Sequence, residues 1–127
     1  MLNSIEGNVI QPADWKGKWV YINYWAEWCK PCAEEIPELN KFAAARQNVM
    51  VVGVNFDNPD SVVALQQMNK MRIDFAVVTN DSAQAVFPHT VPQGLPGTIV
   101  INPEGKIVRT LQGPQTESSL LQAQTSQ

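Results

Sequence analysis

A strand-like stretch runs straight into two cysteines at residues 18–32, which read KWVYINYWAEWCKPC. Residues 18–25 combine aromatic and β-branched side chains and have the length of a buried central strand. Cys29 and Cys32, which follow, are the only cysteines in the chain. Two sulfurs separated by two residues can close a small disulfide ring, and the unpaired N–H groups of a helix N-terminus stabilise the thiolate of the first. The pattern indicates a pair that exchanges electrons with other thiols.

Strand, helix and strand form the opening unit of the chain. Apolar residues at helical spacing, beginning with Ile36, predict a helix over residues 34–46, which Pro37 should kink. The almost continuously apolar run at residues 49–55 is typical of a parallel strand that is covered on both faces.

A second helix should follow this strand. Asn58 and Pro59 have the pattern of an N-cap followed by proline at the first helical position. From that start, helical spacing predicts that Val62, Leu65 and Met68 face inward.

The remaining elements complete a mixed sheet. The sequence predicts a strand at 75–79, a short helix at 81–87, an antiparallel hairpin of strands 97–101 and 106–111, and a final helix at 116–124. Strands that alternate with helices and end in a hairpin predict an α/β fold with helices on both faces of a mixed central sheet.

Length and composition limit the number of domains and the classes of protein to which the chain can belong. With 127 residues and 44% hydrophobic content, the chain has the size of one domain, which we expect to span residues 1–127. The net charge of −3 comes without a dense basic run, so we expect no nucleic-acid function. No stretch approaches the roughly 18 apolar residues of a membrane-spanning helix. Residues 1–7 lack the features of a secretory signal, which leaves a cytosolic protein or a mature exported domain.

The cysteine pair has alternative interpretations. A structural zinc site needs about four ligands, yet His89 is the only histidine, so we expect no metal. A purely structural disulfide would close a very short loop and therefore stabilise little. An inert buried pair is the third alternative. In the redox interpretation Cys29 is the nucleophile, and Cys32, one turn into the helix, is the buried thiol that resolves the mixed disulfide.

Residues 25–32, WAEWCKPC, resemble the active-site signature of the thioredoxin-like superfamily. The segments KGK at 16–18, CKPCAEEIP at 29–37 and LPGT at 95–98, with the added βα unit, resemble the TlpA/ResA-like branch more closely. That branch consists of bacterial thiol-disulfide reductases, mostly extracytoplasmic. The resemblance implies a thioredoxin-like three-layer fold with a βα insertion before a cis-proline.

The resemblance also implies a substrate-binding surface. Pro96 matches the cis-proline that faces the cysteine pair, and a cis bond there would turn the backbone of Leu95 outward to pair with an extended substrate segment. An ordinary trans turn proline is the alternative. Trp28 should lie beside the nucleophile as an apolar contact surface.

Glu35 matches an acidic residue that the branch carries shortly after its second cysteine. A carboxylate there would accept the Cys32 proton during resolution, and the alternative is a solvated helix residue. Cytosolic thioredoxins instead carry a buried aspartate six residues before the first cysteine, where this chain has Asn23. Asn23 cannot shuttle a proton, which favours the branch that uses Glu35.

We therefore expect an enzyme, a thiol-disulfide oxidoreductase that reduces protein disulfides outside the bacterial cytoplasm. Its expected partners are protein thiol or disulfide substrates, such as apocytochrome c, and an upstream membrane thiol-disulfide electron donor. We expect a monomer without a cofactor.

Three other functions compete with this one. A cytosolic thioredoxin-like reductase and a non-catalytic binding module with vestigial cysteines both remain open. A peroxidase is disfavoured, because peroxidatic sites in related folds use Thr-x-x-Cys and position 26 is alanine.

Overall fold

The computed structural model describes residues 1–88 and 91–124. His89, which the sequence suggests is an ordinary loop residue, lies outside these ranges. In chain order the described elements are β1 Leu2–Asn3, β2 Val9–Ile10, a 3-10 helix Pro12–Trp15, β3 Trp19–Trp25, α1 Lys30–Ala45, β4 Val49–Asn55, α2 Ser61–Lys70, β5 Ala76–Val78, α3 Asn80–Val86, β6 Gly97–Ile101, β7 Ile107–Gln112 and α4 Glu117–Gln122. No helix in the described ranges has the length and apolar character needed to cross a membrane.

The main sheet has five strands in the order β5-β4-β3-β6-β7. Strands β3, β4 and β5 are parallel, whereas β6 runs antiparallel to β3 and β7 antiparallel to β6. The predicted mixed sheet, the hairpin and the βα unit formed by β5 and α3 are confirmed. β3 lies at the centre, so the cysteine loop leaves from the middle of the sheet.

Side chains of β3 alternate between two hydrophobic clusters, because successive strand residues point to opposite faces. Tyr21 and Trp25 pack with α1, α2 and α4 on one face. Ile22 and Tyr24 pack with α3 and the 3-10 helix on the other. Helices therefore cover both faces, as predicted. Asn23, between Tyr21 and Trp25, points to the α1 face.

Helix α1 starts earlier than its apolar spacing predicted, although Cys32 lies in its first turn, close to the position expected in the redox interpretation. Its first residue is Lys30 rather than residue 34, because Cys29 acts as the N-cap and Pro31 occupies the first turn. One stripe of the helix is buried against β3 and consists of Cys32, Glu35, Ile36, Leu39 and Phe42. The Phe42 ring meets the Tyr21 ring edge-on, with 4.9 Å between ring centroids. α1 thus presents the second cysteine and an acid to the core.

The predicted start of α2 was wrong. Asn58 is not the N-cap; it has a φ of 54° and lies in the left-handed region. Asp60 caps the helix instead, and its Oδ1 accepts a hydrogen bond of 3.0 Å from the backbone N–H of Val63.

The predicted inward face of α2 was also partly wrong. Met68 is buried as predicted, but Val62 and Leu65 are exposed and Ala64 is buried instead. The helix begins two residues later than Pro59 would have placed it, at Ser61, and the N-terminal part of the predicted stripe turns to solvent.

The N-terminal segment contains structure that the sequence did not predict. β1 and β2 form a separate antiparallel hairpin. Ser4 then bridges Val78, and the backbone N–H of Ile5 donates to the carbonyl of Val77 at 2.9 Å. This segment covers the outer edge of β5.

Candidate active site

The two cysteines form a disulfide at the N-terminus of α1, with their Cα atoms 5.3 Å apart. The Sγ of Cys29 accepts a hydrogen bond of 3.3 Å from the backbone N–H of Cys32. Cys29 is 5% exposed and Cys32 is completely buried. A helix N-terminus stabilises negative charge, so in the reduced protein this position favours the Cys29 thiolate. Of the two sulfurs, Cys29 is the one nearer to solvent.

The peptide bond between Leu95 and Pro96 is cis. The residue after it, Gly97, pairs with Tyr24 of β3, which places the cis bond beside the end of β3 where the cysteine loop begins. Gly97 allows the close packing of this turn, because a Cβ at that position would collide with Pro92. The structure thus brings Leu95 and Pro96 to the same end of the sheet as Cys29.

Glu35 is a buried acid rather than a solvated helix residue, since it is only 1% exposed. Its Oε1 accepts a hydrogen bond of 3.0 Å from Nδ2 of Asn23, and its Oε2 accepts one of 2.9 Å from the backbone N–H of Gln115. Burial raises the pKa of the Glu35 carboxyl from 4.5 to about 7, although both hydrogen bonds act in the opposite direction. Such a carboxyl can take up and release a proton near neutral pH.

Sequence reasoning missed two partners of this acid. Nδ2 of Asn23 also donates to Oγ1 of Thr98 at 3.0 Å, and Thr98 faces Asn23 in the pairing of β6 with β3. The backbone N–H of Gln115 comes from the segment before α4. The alternation of β3 could have indicated that Asn23 points toward α1, but no local signal marks Thr98 or Gln115.

Trp28 is 67% exposed, directly before Cys29 in the chain. Its ring N–H donates to Oδ2 of Asp57 at 2.9 Å, and the backbone N–H of Asp57 donates to Oδ1 of the buried Asn55 at 3.1 Å. The indole is therefore held at the surface by the end of β4, with its ring accessible for contact.

Glu27, the residue before Trp28, is tied to α2. Its Oε2 lies 2.8 Å from Nζ of Lys70, and its Oε1 accepts a hydrogen bond of 3.4 Å from Nε2 of Gln67. A groove of about 910 Å³ runs from Glu27 and Ala33 between α1 and the end of α2. No group of three or more histidine, cysteine or acidic side chains that could hold a metal is found in the described ranges.

Comparisons with known proteins agree with this geometry. The model of the AhpC/TSA family matches residues 1–110. This chain belongs to that family. The thiol-disulfide oxidoreductase ResA of Bacillus subtilis is 36% identical to it over 123 residues, which cover 94% of this chain and 67% of that protein. This AhpC/TSA member also has a disulfide-bonded Cys-x-x-Cys pair on the α/β sheet described above, and it is a thioredoxin-like thiol-disulfide oxidoreductase.

Solved structures show the same fold. StoA from Bacillus subtilis superposes on this AhpC/TSA member with a TM-score of 0.78 at 26% identity, covering 97% of this chain and 93% of that one. A thioredoxin family protein from Chlorobium tepidum, a thiol:disulfide interchange protein, has a TM-score of 0.75 at 22% identity and covers 95% of this chain and 87% of that one. The predicted thioredoxin-like fold is confirmed.

Proposed function

We propose that this oxidoreductase reduces protein disulfides through a dithiol cycle of Cys29 and Cys32. The observation that carries the proposal is the placement of both sulfurs at the N-terminus of α1 with a buried acid one turn further along. The Cys29 thiolate attacks a substrate disulfide, forms a mixed disulfide and releases one substrate thiolate. Cys32 then attacks the Cys29 sulfur, closes the protein disulfide and expels the second substrate thiolate. Two electrons pass from the protein dithiol to the substrate.

Glu35 is the proposed acceptor of the Cys32 proton. A fully buried thiol is a poor nucleophile until it ionises, and Glu35 lies one helical turn after it on the same buried stripe. A base must be deprotonated to accept a proton. The rate of resolution should therefore rise as the pH increases through about 7, the pKa of the Glu35 carboxyl.

The proposed substrate-binding surface consists of Trp28, Leu95 and Pro96. The exposed indole offers an apolar contact beside Cys29. The cis bond at the start of β6 supports pairing of an extended substrate segment with the backbone of Leu95, as in strand addition. A protein segment containing an accessible disulfide fits this surface better than a small molecule.

The compartment and partners are also part of the proposal. The resemblance to the TlpA/ResA-like branch supports a bacterial protein that works outside the cytoplasm. Residues 1–127 have the size of one domain, and we propose that this domain is monomeric. A membrane thiol-disulfide protein would supply electrons, and apocytochrome c is a proposed substrate. Cell fractionation of the protein expressed from its natural gene tests the location. Recovery only in the cytoplasm would favour a cytosolic reductase.

Insulin reduction tests the catalytic proposal. The natural protein should reduce insulin with dithiothreitol as electron source, and Cys29→Ser should abolish this activity. Cys32→Ser is the matched variant, because it keeps the nucleophile and lacks the resolving thiol. When it is reduced, freed of dithiothreitol and mixed with insulin, it should accumulate a mixed disulfide with the substrate that mass spectrometry detects, whereas Cys29→Ser should not. Substrate binding by all three proteins without turnover would identify a binding module instead.

A further inference from the structure

The side-chain amide of Asn23 lies between Glu35 and Thr98. Its Nδ2 donates to Oε1 of Glu35 and to Oγ1 of Thr98, each at 3.0 Å. Asn23 is completely buried, yet its Oδ1 has no hydrogen-bond partner among the described residues. A buried carbonyl oxygen without a partner costs free energy. Oδ1 of Asn23 is therefore a buried hydrogen-bond acceptor that the observed arrangement does not use.

The two protonation states of Glu35 need opposite partners. The carboxylate only accepts hydrogen bonds, whereas the carboxylic acid carries an O–H that must donate. An asparagine amide can serve either state, because its NH₂ donates, its oxygen accepts, and a half-turn exchanges the two with almost no change in shape. A threonine hydroxyl both donates and accepts. Thr98 can therefore follow such a turn.

We propose that Asn23 pairs with both protonation states of Glu35 by turning over its side-chain amide, while the Thr98 hydroxyl reverses its hydrogen bond. With the carboxylate, Nδ2 donates to Glu35 as observed. With the acid, Oδ1 accepts from the Glu35 O–H and from the Thr98 hydroxyl. Asn23 is thus a positioning residue, and this inference rests on the proposed role of Glu35 as proton acceptor.

Protons and electrons balance without any contribution from Asn23. The Cys32 thiol proton moves to the Glu35 carboxylate, and the resulting thiolate attacks the Cys29 sulfur of the mixed disulfide. The bond between Cys29 and the substrate breaks as the bond between Cys29 and Cys32 forms. The substrate sulfur leaves with the electron pair. The amide only changes which of its groups faces Glu35.

Other neighbours of Glu35 cannot make this exchange. From the segment before α4, the backbone N–H of Gln115 donates to Oε2 and is a donor in either state. On α1, the titratable residues one turn away are Cys32 and Glu38. Oε1 of Glu38 already accepts a hydrogen bond of 2.8 Å from the backbone N–H of Glu117 on α4. From β3, Asn23 donates a hydrogen bond to Glu35, and from β6, Thr98 accepts one from Asn23. Both side chains are neutral.

The titration of Glu35 in an Asn23→Leu variant tests the inference. The carboxyl carbon of Glu35 is followed by NMR against pH in the oxidised, isotope-labelled protein, in which Cys29 and Cys32 form a disulfide and do not titrate. In the observed arrangement alone, Nδ2 of Asn23 donates to the carboxylate and lowers the pKa of Glu35. If the amide also turns over to accept from the acid, the two effects cancel, and its removal leaves the midpoint within about half a pKa unit of the natural protein. An amide fixed as a donor stabilises only the carboxylate, so its removal raises the midpoint by about one unit or more. That rise would overturn the proposal.

A second measurement uses the natural protein and does not depend on how the variant folds. Nuclear Overhauser contacts between the Nδ2 protons of Asn23 and the Cγ protons of Glu35 should be present above the Glu35 midpoint and lost below it. Contacts that persist unchanged above and below this midpoint would refute the proposed turnover of the Asn23 amide. Neither measurement requires turnover, so a failed insulin assay with a normal amide switch would count against the proposed function alone.

Discussion

Replacing Glu35 with glutamine should change how stability depends on pH. The pKa of this carboxyl is about 7 in the folded protein and 4.5 in its ordinary, unfolded environment. A carboxyl whose pKa is raised by folding favours the folded state while it is protonated. The contribution is complete below about pH 4.5, is lost as the pH rises to about 7, and stays constant above. The full loss amounts to about 3 kcal/mol of unfolding free energy.

The Glu35→Gln variant keeps a neutral side chain of similar shape at every pH. Its unfolding free energy should therefore increase relative to the natural protein by about 3 kcal/mol between pH 4.5 and pH 8. Urea unfolding of both oxidised proteins across this range measures the difference, and subtracting the two curves removes the other titrating groups. Glu34→Gln, at an exposed position on the same helix, is the matched control and should run parallel to the natural protein. A Glu35→Gln curve that also runs parallel would refute the reasoning.

Substitutions at two further site positions, Trp28 and Thr98, and at Gly53 in β4 provide additional tests. Trp28→Ala should raise the KM for insulin several-fold without changing the rate with a small disulfide, because it removes an exposed contact surface and leaves the cysteine pair in place. Stopped assays with each substrate measure this, and equal losses with both would contradict it. Thr98→Val should lower the unfolding free energy by about 1 kcal/mol, because it removes the hydroxyl that accepts a hydrogen bond from Asn23. Thr98→Ser keeps that hydroxyl and is the control. Equal urea midpoints for Thr98→Val and the natural protein would argue against this hydrogen bond. Gly53→Ala should lower the unfolding free energy by about 1–3 kcal/mol, because its Cβ would approach Phe75 to 2.9 Å and Trp25 to 3.0 Å. Thermal unfolding measures this, and an unchanged Tm would show that these rings move aside.

Strong local patterns predicted much of the fold. β4 has the predicted bounds, since an almost unbroken apolar run leaves little ambiguity. The predicted start of α2 was wrong because Asn58 and Pro59 have the pattern of an N-cap, whereas Asp60 supplies the actual capping oxygen. The β1–β2 hairpin was missed because its strands have only two residues each, too few to show a period.

In the candidate site, too, residues in local motifs could be predicted from the sequence, whereas residues that meet only in the fold could not. The cysteine pair is a local motif, and Glu35 was recognised because it lies three residues after Cys32 in a familiar pattern. Thr98 and Gln115 could not be predicted, since they meet the Asn23 and Glu35 side chains across 75 and 80 residues of chain. Asn23 has no titratable group and was not predicted to carry a proton. Its hydrogen bond to the acid depends on the packing of β3 against α1, which becomes visible only in the fold.

The N-terminal segment that covers β5 limits how this protein can be trimmed. The backbone of residues 3–5 exchanges hydrogen bonds with Thr79, Val77 and Ser82, and Leu2 is completely buried. Deleting residues 1–6 would uncover the N–H and C=O groups of an outer strand, which is a template for another chain to join the sheet. Shortened versions should therefore self-associate and precipitate, and affinity tags that require cleavage near Leu2 are better moved to the C-terminus.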